Sequence, residues 1–241
     1  MTGGRKMLQV KGLSAGYGAM RVIHDLDLIV SAGERIGLVG LNGHGKSTLF
    51  YAIAGLTGWQ RGSIRLNGVE VGRTRSQGPG RYTHQIVHQG LALIPQGDEI
   101  FHGLTVEEHL DSGAFTKRAW REREDRKKRI YKIFPPLIKL KSTPVGRLSG
   151  GERRMVSIGR GLMADASLFL VDEPSLGLAP KIGKGVLDAL LSVELGDSAM
   201  VIAEQNIALL EGRVDRIIGM HVGKLKGEAS AALMLNAKRE V

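Results

Sequence analysis

With 241 residues, of which 42% are apolar, the chain can bury one large core, or one core carrying an insertion. Lys and Arg exceed Asp and Glu by 34 − 24 = +10, a basic excess that suits a nucleic acid, an anionic membrane surface or a polyphosphate, and equally a solubilising surface charge. There is no cysteine, which excludes disulfides and thiolate metal sites.

In chain order, the opening third reads as strands: "MLQVKGL", then the alternating "RVIHDLDLIV", then "ERIGLVG". The opening "MTGGRKMLQV" lacks the apolar stretch of a signal peptide. A helix is predicted from Lys46 through Ala54. "GSIRLNG" is a further strand and turn, residues 72–82 a polar Gly-rich loop, and "GLALIP" a buried strand ended by Pro95. From Thr105 to Gly161 the patterns turn helical, broken at Pro135-Pro136 and Pro144; Thr105 with Glu108 three residues on is a capping-box signal. The run "KRAWREREDRKKR", Lys117 to Arg129, mixes both charge signs with one aromatic and reads as a solvated helix face. Strands and helices then alternate through "SLFLVDEP", "KIGKGVLDALLSV", "SAMVIAE", "NIALLEG" and "VDRIIGM", which argues a parallel sheet flanked by helices. A hairpin, "MHVGKLKGE", and a short tail helix close the reading. No run is apolar and long enough to span a membrane, so any crossing is expected from another chain.

Three stretches carry chemistry. Gly40-Leu41-Asn42-Gly43-His44-Gly45-Lys46-Ser47-Thr48 fits G-x-x-x-x-G-K-[ST] between a predicted strand and helix. In such a P-loop the glycines let backbone N–H groups wrap phosphates, the lysine reaches the β- and γ-phosphates, and the Ser hydroxyl serves Mg²⁺. "SLFLVDEP" ends a buried strand in Asp172 and Glu173; beside a P-loop, Asp172 reads as a Mg²⁺ ligand and Glu173 as general base, while alone the pair is equally two solvated acids. In Leu148-Ser149-Gly150-Gly151-Glu152 a serine and two glycines open a helix, whose first N–H groups lack intrahelical partners and can hold an anion.

Motif by motif, most of the chain resembles the nucleotide-binding subunit of an ATP-binding cassette (ABC) transporter. "LSGGE" matches that family's signature, which is far more specific than the P-loop. The resemblance implies an α/β P-loop NTPase (RecA-like) core with an N-terminal antiparallel β-subdomain and an inserted helical subdomain. Residues 1–241 would be one nucleotide-binding domain, its core about 1–97 and 162–241 and its helical part about 98–161. It implies ATP and Mg²⁺ as ligands, with Tyr17 of "AGYG" stacking on adenine and Val22 also binding the nucleotide; the alternative for Tyr17 is a core tyrosine. Gln96 of "LIPQG" matches the glutamine that touches Mg²⁺ and responds to the membrane partner. The resemblance also implies what the signature does. Two cassettes pair head to tail, and residues 148–152 of each cap the γ-phosphate in the other's P-loop.

Departures from the common pattern narrow the likeness. Gln205 of "VIAEQN" stands where most cassettes have a histidine, and Ala179 replaces the usual aspartate. Gln205 means either weaker hydrolysis, since glutamine carries no charge, or a habit of one subgroup. That subgroup is the short ATPase subunit of branched-chain amino-acid importers, which "FHGLTVEEHL" is also similar to; "PQGDEIF" is similar to urea importers. The implied partners are two transmembrane permease subunits, a second ABC ATPase in a heterodimer and, indirectly, an extracytoplasmic solute-binding protein, at the cytoplasmic face of the membrane. No nucleic acid is expected. One alternative is a soluble ABC ATPase acting on nucleic acid or ribosomes, although such relatives usually carry two cassettes, coiled coils or zinc modules. Another is a regulatory module with little turnover. His84 and His88, four apart, fit a metal but read as solvated surface; His44 reads as outward-facing, with contact to a phosphate as the alternative.

Overall fold

The computed structural model describes residues 5–72 and 82–228. The predicted tail helix, and the Gly-rich loop apart from its two end residues, lie outside them. The chain divides into two compact units: the described parts of Met1–Leu93, Ser167–Asp172 and Leu195–Val241, and a second of Ile94–Ala166 and Glu173–Glu194.

The first unit holds strands β1 (Lys6–Tyr17), β2 (Met20–Ser31), β3 (Arg35–Val39), β4 (Trp59–Leu66), β5 (Val69–Gly72), β6 (Leu91–Ile94, all but its last residue), β7 (Leu168–Asp172), β8 (Ala199–Glu204), β9 (Arg216–His221) and β10 (Lys224–Glu228), with helices α1 (Lys46–Ile53) and α2 (Thr83–His88). An antiparallel sheet runs in the order β2-β1-β4-β5. Its edge strand β5 is too short for alternation to reveal it in the sequence. The turn into β5 is Asn67-Gly68, with φ +52° and +79°, the left-handed pair that matches the twist of a two-residue hairpin. The second sheet runs β10-β9-β3-β8-β7-β6, with β9, β3, β8 and β7 parallel and β10 antiparallel to β9. Every residue of β7 and β8 is buried, which is why these strands read as unbroken apolar runs rather than alternating ones. Leu49, Phe50, Ala52 and Ile53 of α1 join side chains of both sheets in one core.

The second unit is helical: α3 (Val106–Asp111), α4 (Lys117–Arg121), α5 (Arg123–Ile133), two 3-10 segments at Pro135–Leu140 and Val145–Arg147, then α6 (Gly150–Leu162) and α7 (Pro180–Leu191). The predicted breaks at the prolines hold. The Thr105/Glu108 capping box is formed in both directions. Gly159 lets α6 sit close on its neighbours, because a Cβ there would stand 2.9 Å from both Ile130 and Leu110.

Two sequence readings need correction. The run 117–129 is not a wholly solvated face: the Lys127 side chain is 5% exposed, with its Nζ 3.0 Å from Glu107, 3.1 Å from Asp111 and 2.9 Å from Glu124. The charge pattern hid this because two of the three partners lie on α3, far off in sequence. "NIALLEG" forms one 3-10 turn, Ile207–Leu209, capped by Asn206, whose Oδ1 accepts from the Ala208 N–H at 3.1 Å. No helix among the described residues is long and apolar enough to cross a membrane. His84 and His88 are exposed on α2, and no cluster able to hold a metal is found among the described residues.

Candidate functional site

The parallel strands of the first unit end together. Asp172 closes β7 opposite Ala203, and Glu204 closes β8 opposite Val39, the last residue of β3. The C-terminal edge of such a sheet is where an open α/β fold binds ligands. Residues 40–48 leave β3 at that edge and enter α1. The helix has no side-chain cap and no acid in its first turn. Its N-terminal N–H groups and the positive end of its dipole are therefore available to an anion.

Neighbouring atoms crowd out a side chain at two glycines of this loop. Gly45 has φ +99°, and a Cβ on it would reach 3.2 Å from Ile23 and Met220 and 3.4 Å from Val22. Gly40 is in ordinary backbone, but a Cβ there would lie 2.4 Å from the Met220 carbonyl oxygen. Buried Lys46 donates from Nζ to the Gly40 carbonyl at 2.7 Å and the Leu41 carbonyl at 3.3 Å, which holds its ammonium over the loop. Tyr17 ends β1 and is hydrogen-bonded to Thr48; partial burial raises its phenol pKa against the opposing effect of that bond. At 41% exposed, its ring is open to a flat partner.

His44 is not outward-facing. Its Nδ1 lies 3.1 Å from the Met220 carbonyl, and its ring meets His221 edge-on with centroids 4.6 Å apart. Its backbone carbonyl accepts from Gly223 N–H at 2.9 Å, fastening the loop to the β9–β10 hairpin. Two anchors were not read from the sequence. The Glu204 carbonyl accepts from Gly40 N–H at 3.4 Å, and Asn206 caps the turn after Gln205, which is exposed just past β8. Asp172 is fully buried.

The second unit carries Gln96, Glu173 and residues 148–152. Ser149 is the N-cap of α6: its Oγ accepts from Glu152 N–H at 3.4 Å, and Glu152 Oε2 accepts from Ser149 N–H at 2.8 Å and from its hydroxyl at 2.7 Å. The S-x-x-E spacing was a legible capping box, yet only its anion role was read. Gly150 faces open space, whereas a Cβ on Gly151 would stand 2.7 Å from Ile182 of α7. Glu173 is 5% exposed with φ +43°, a left-handed conformation that costs a non-glycine residue roughly 1–3 kcal/mol and is characteristic of functional sites. Gln96 is exposed on the loop after β6, followed by Gly97 at φ +83°.

The ABC transporter family profile matches residues 23–176. The "High-affinity branched-chain amino acid transport ATP-binding protein BraG" of Pseudomonas aeruginosa is 34% identical over 235 residues, 96% of this chain and 97% of its own. The "Probable branched-chain amino acid transport ATP-binding protein LivF" of Archaeoglobus fulgidus is 35% identical over 207 residues, 83% of this chain and 82% of its own. The solved structure of cbiO1 from Clostridium perfringens, "Part of the ABC transporter complex cbiONQ", shares the fold with a TM-score of 0.78 at 21% identity, covering 98% of this chain and 93% of that one. The chain therefore belongs to the ABC transporter family, as an ATPase cassette that binds and hydrolyses ATP.

Proposed function

We propose that this chain is an energising subunit of a membrane importer, coupling ATP hydrolysis at the cytoplasmic face to uptake of branched-chain amino acids or a related small polar solute. The observation that carries this reading is the end-to-end likeness to BraG, at 34% identity over 96% of the chain. The "EQN" at 204–206 and the Ala179 position add to it.

In this reading the amides of residues 40–48 and the Lys46 ammonium take the phosphates, while Tyr17 and Val22 receive the adenine. Mg²⁺ fits the hard oxygen donors of the first unit, the Ser47 hydroxyl and the buried Asp172 carboxylate; the role of Gln96 toward the ion comes from the family resemblance alone. When bound, the ion neutralises phosphate charge. Glu173 accepts the proton of the attacking water, and Gln205 donates a hydrogen bond toward the γ-phosphate without carrying charge. Ser149, Gly150 and Gly151, helped by Leu148 and Glu152, cap the γ-phosphate held by a second cassette ATPase. The pair is a heterodimer on two permease subunits, fed by an extracytoplasmic solute-binding protein.

The test is purification of the tagged chain from its native membranes in mild detergent, with mass spectrometry of what accompanies it. Two multi-span proteins and a second cassette ATPase are the expected result. Recovery from the soluble fraction with nucleic acid or ribosomes would refute the importer and make the +10 charge the leading clue.

A further inference from the structure

We propose that Arg154, buried in α6, is a positioning residue for hydrolysis, its guanidinium tying the carbonyls on both sides of Gln96 to the carbonyl that follows Glu173. The inference rests on the roles given above to Gln96 and Glu173.

Arg154 is 2% exposed. Its Nη1 donates to the Pro95 carbonyl at 2.8 Å and to the Gly97 carbonyl, and its Nε donates to the Pro174 carbonyl at 3.2 Å. A buried guanidinium is expensive unless its donors are met, and an apolar side chain would fill the same space at less cost. What the guanidinium adds is geometry: a rigid planar fork that fixes several acceptors at once, which a lysine cannot copy.

The acceptors belong to the two segments that need fixing. Gln96 has an exposed side chain, and the next residue, Gly97, is left-handed, a conformation that glycine's permissive backbone does not by itself enforce. Arg154 pins the peptide on either side of Gln96. Beside it, Arg153 Nε pairs with Asp98 at 2.9 Å on the same loop. Glu173 holds a left-handed backbone that persists only where its surroundings over-determine it, and the bond to Pro174 is one such restraint. One side chain, five residues after Ser149, thus makes the start of the signature helix, the Gln96 loop and the Glu173 turn a single mechanical piece. Displacing a reacting group by about 1 Å can cost on the order of a hundredfold in rate, so slack at this joint falls on turnover before it falls on nucleotide binding.

The experiment compares wild type, Arg154→Gln, Arg154→Lys and Glu173→Gln, each full-length and purified from native membranes with its accompanying chains. Steady-state ATP hydrolysis, affinity for a fluorescent ATP analogue and hydrogen exchange are measured. Arg154→Gln is expected to lower kcat by about tenfold to a hundredfold while analogue affinity stays within about twofold. Exchange should quicken at the amides of Gly97, Asp98 and Ser175 and stay unchanged in residues 40–48. Arg154→Lys should fall between the two. A kcat for Arg154→Gln within about twofold of wild type, with Glu173→Gln inactive, overturns the proposal and leaves Glu173 as base. Glu173→Gln turning over like wild type overturns that underlying role instead. If affinity, kcat and exchange in residues 40–48 change together, Arg154 is merely structural and the proposal is wrong. Should Arg154→Gln not fold, Arg154→Lys decides: unchanged kcat and exchange refute the role.

Discussion

Replacing Lys127 with methionine tests the buried charge cluster of the helical unit. Methionine keeps the apolar stem but removes the ammonium that Glu107, Asp111 and Glu124 share. Breaking a fully buried ion pair costs about 3–5 kcal/mol, because the orphaned charge cannot reach water. Here the carboxylate side chains are 45%, 25% and 63% exposed, so Glu107 and Glu124 can turn outward and Asp111 bears most of the loss. The expected destabilisation is therefore lower, about 2 kcal/mol, or a Tm about 4–8 °C below wild type for a chain of this size. The pH dependence carries the sign. Burial works to lower the Lys127 pKa, but the hydrogen bonds it donates to Glu124, Glu107 and Asp111 outweigh it and raise it above the usual lysine value. Its contribution is thus complete below the unfolded lysine pKa, about 10.4, and is lost only as pH rises through the still higher folded value. Wild-type stability from this cluster should stay flat between about pH 6 and 9. In Lys127→Met the Glu124 carboxyl loses the hydrogen bond that holds it below the usual carboxylate range, a stabilisation that wild type itself loses as pH falls below about 4.3, so the Tm deficit should shrink there. Thermal melts of both proteins across pH, in low and high salt, measure this. A deficit under about 1 °C at neutral pH, or one that does not change with pH, would refute the reasoning.

His109 is fully buried on α3, its Nε2 accepting from the Phe101 N–H at 3.1 Å; burial, then the nearby Arg160 charge, lower its pKa to about 4. Unfolding frees it to bind a proton, so stability should be lost as pH falls from about 6.5 to about 4, by no more than about 3 kcal/mol, and His109→Gln should flatten that slope in chemical-denaturation titrations. Val222 sits at φ +42° between β9 and β10, exposed and β-branched, a conformation that costs an L-residue about 1–2 kcal/mol. Val222→Asn should raise the Tm by about 2–4 °C, and a melt showing no gain would mean the turn is not strained.

What the sequence disclosed and what it concealed divide along the range of the interactions. The P-loop was legible because its chemistry is written in consecutive residues: Gly40, Gly45, Lys46 and Ser47 need no partner to be recognised, and the apolar run ending at Asp172 marks its own strand. Gly40 shows the limit. Its necessity comes from the Met220 carbonyl, 180 positions away, not from its own dihedrals. The same distance misled the reading of His44, whose ring is claimed by Met220 and His221 on a hairpin that no local pattern connects to residue 44. Arg154 is the strongest case. In "LSGGERR" its spacing resembles that of any exposed helical arginine, and the carbonyls it holds belong to Pro95, Gly97 and Pro174, residues whose side chains say nothing about hydrogen bonding. Backbone acceptors are the same at every position, so a side chain that acts on them leaves no complementary residue type for a motif to record. Its burial was visible only after folding, and it follows that roles which position backbone, rather than touch ligand, will be systematically under-read from sequence even where the catalytic motifs are plain.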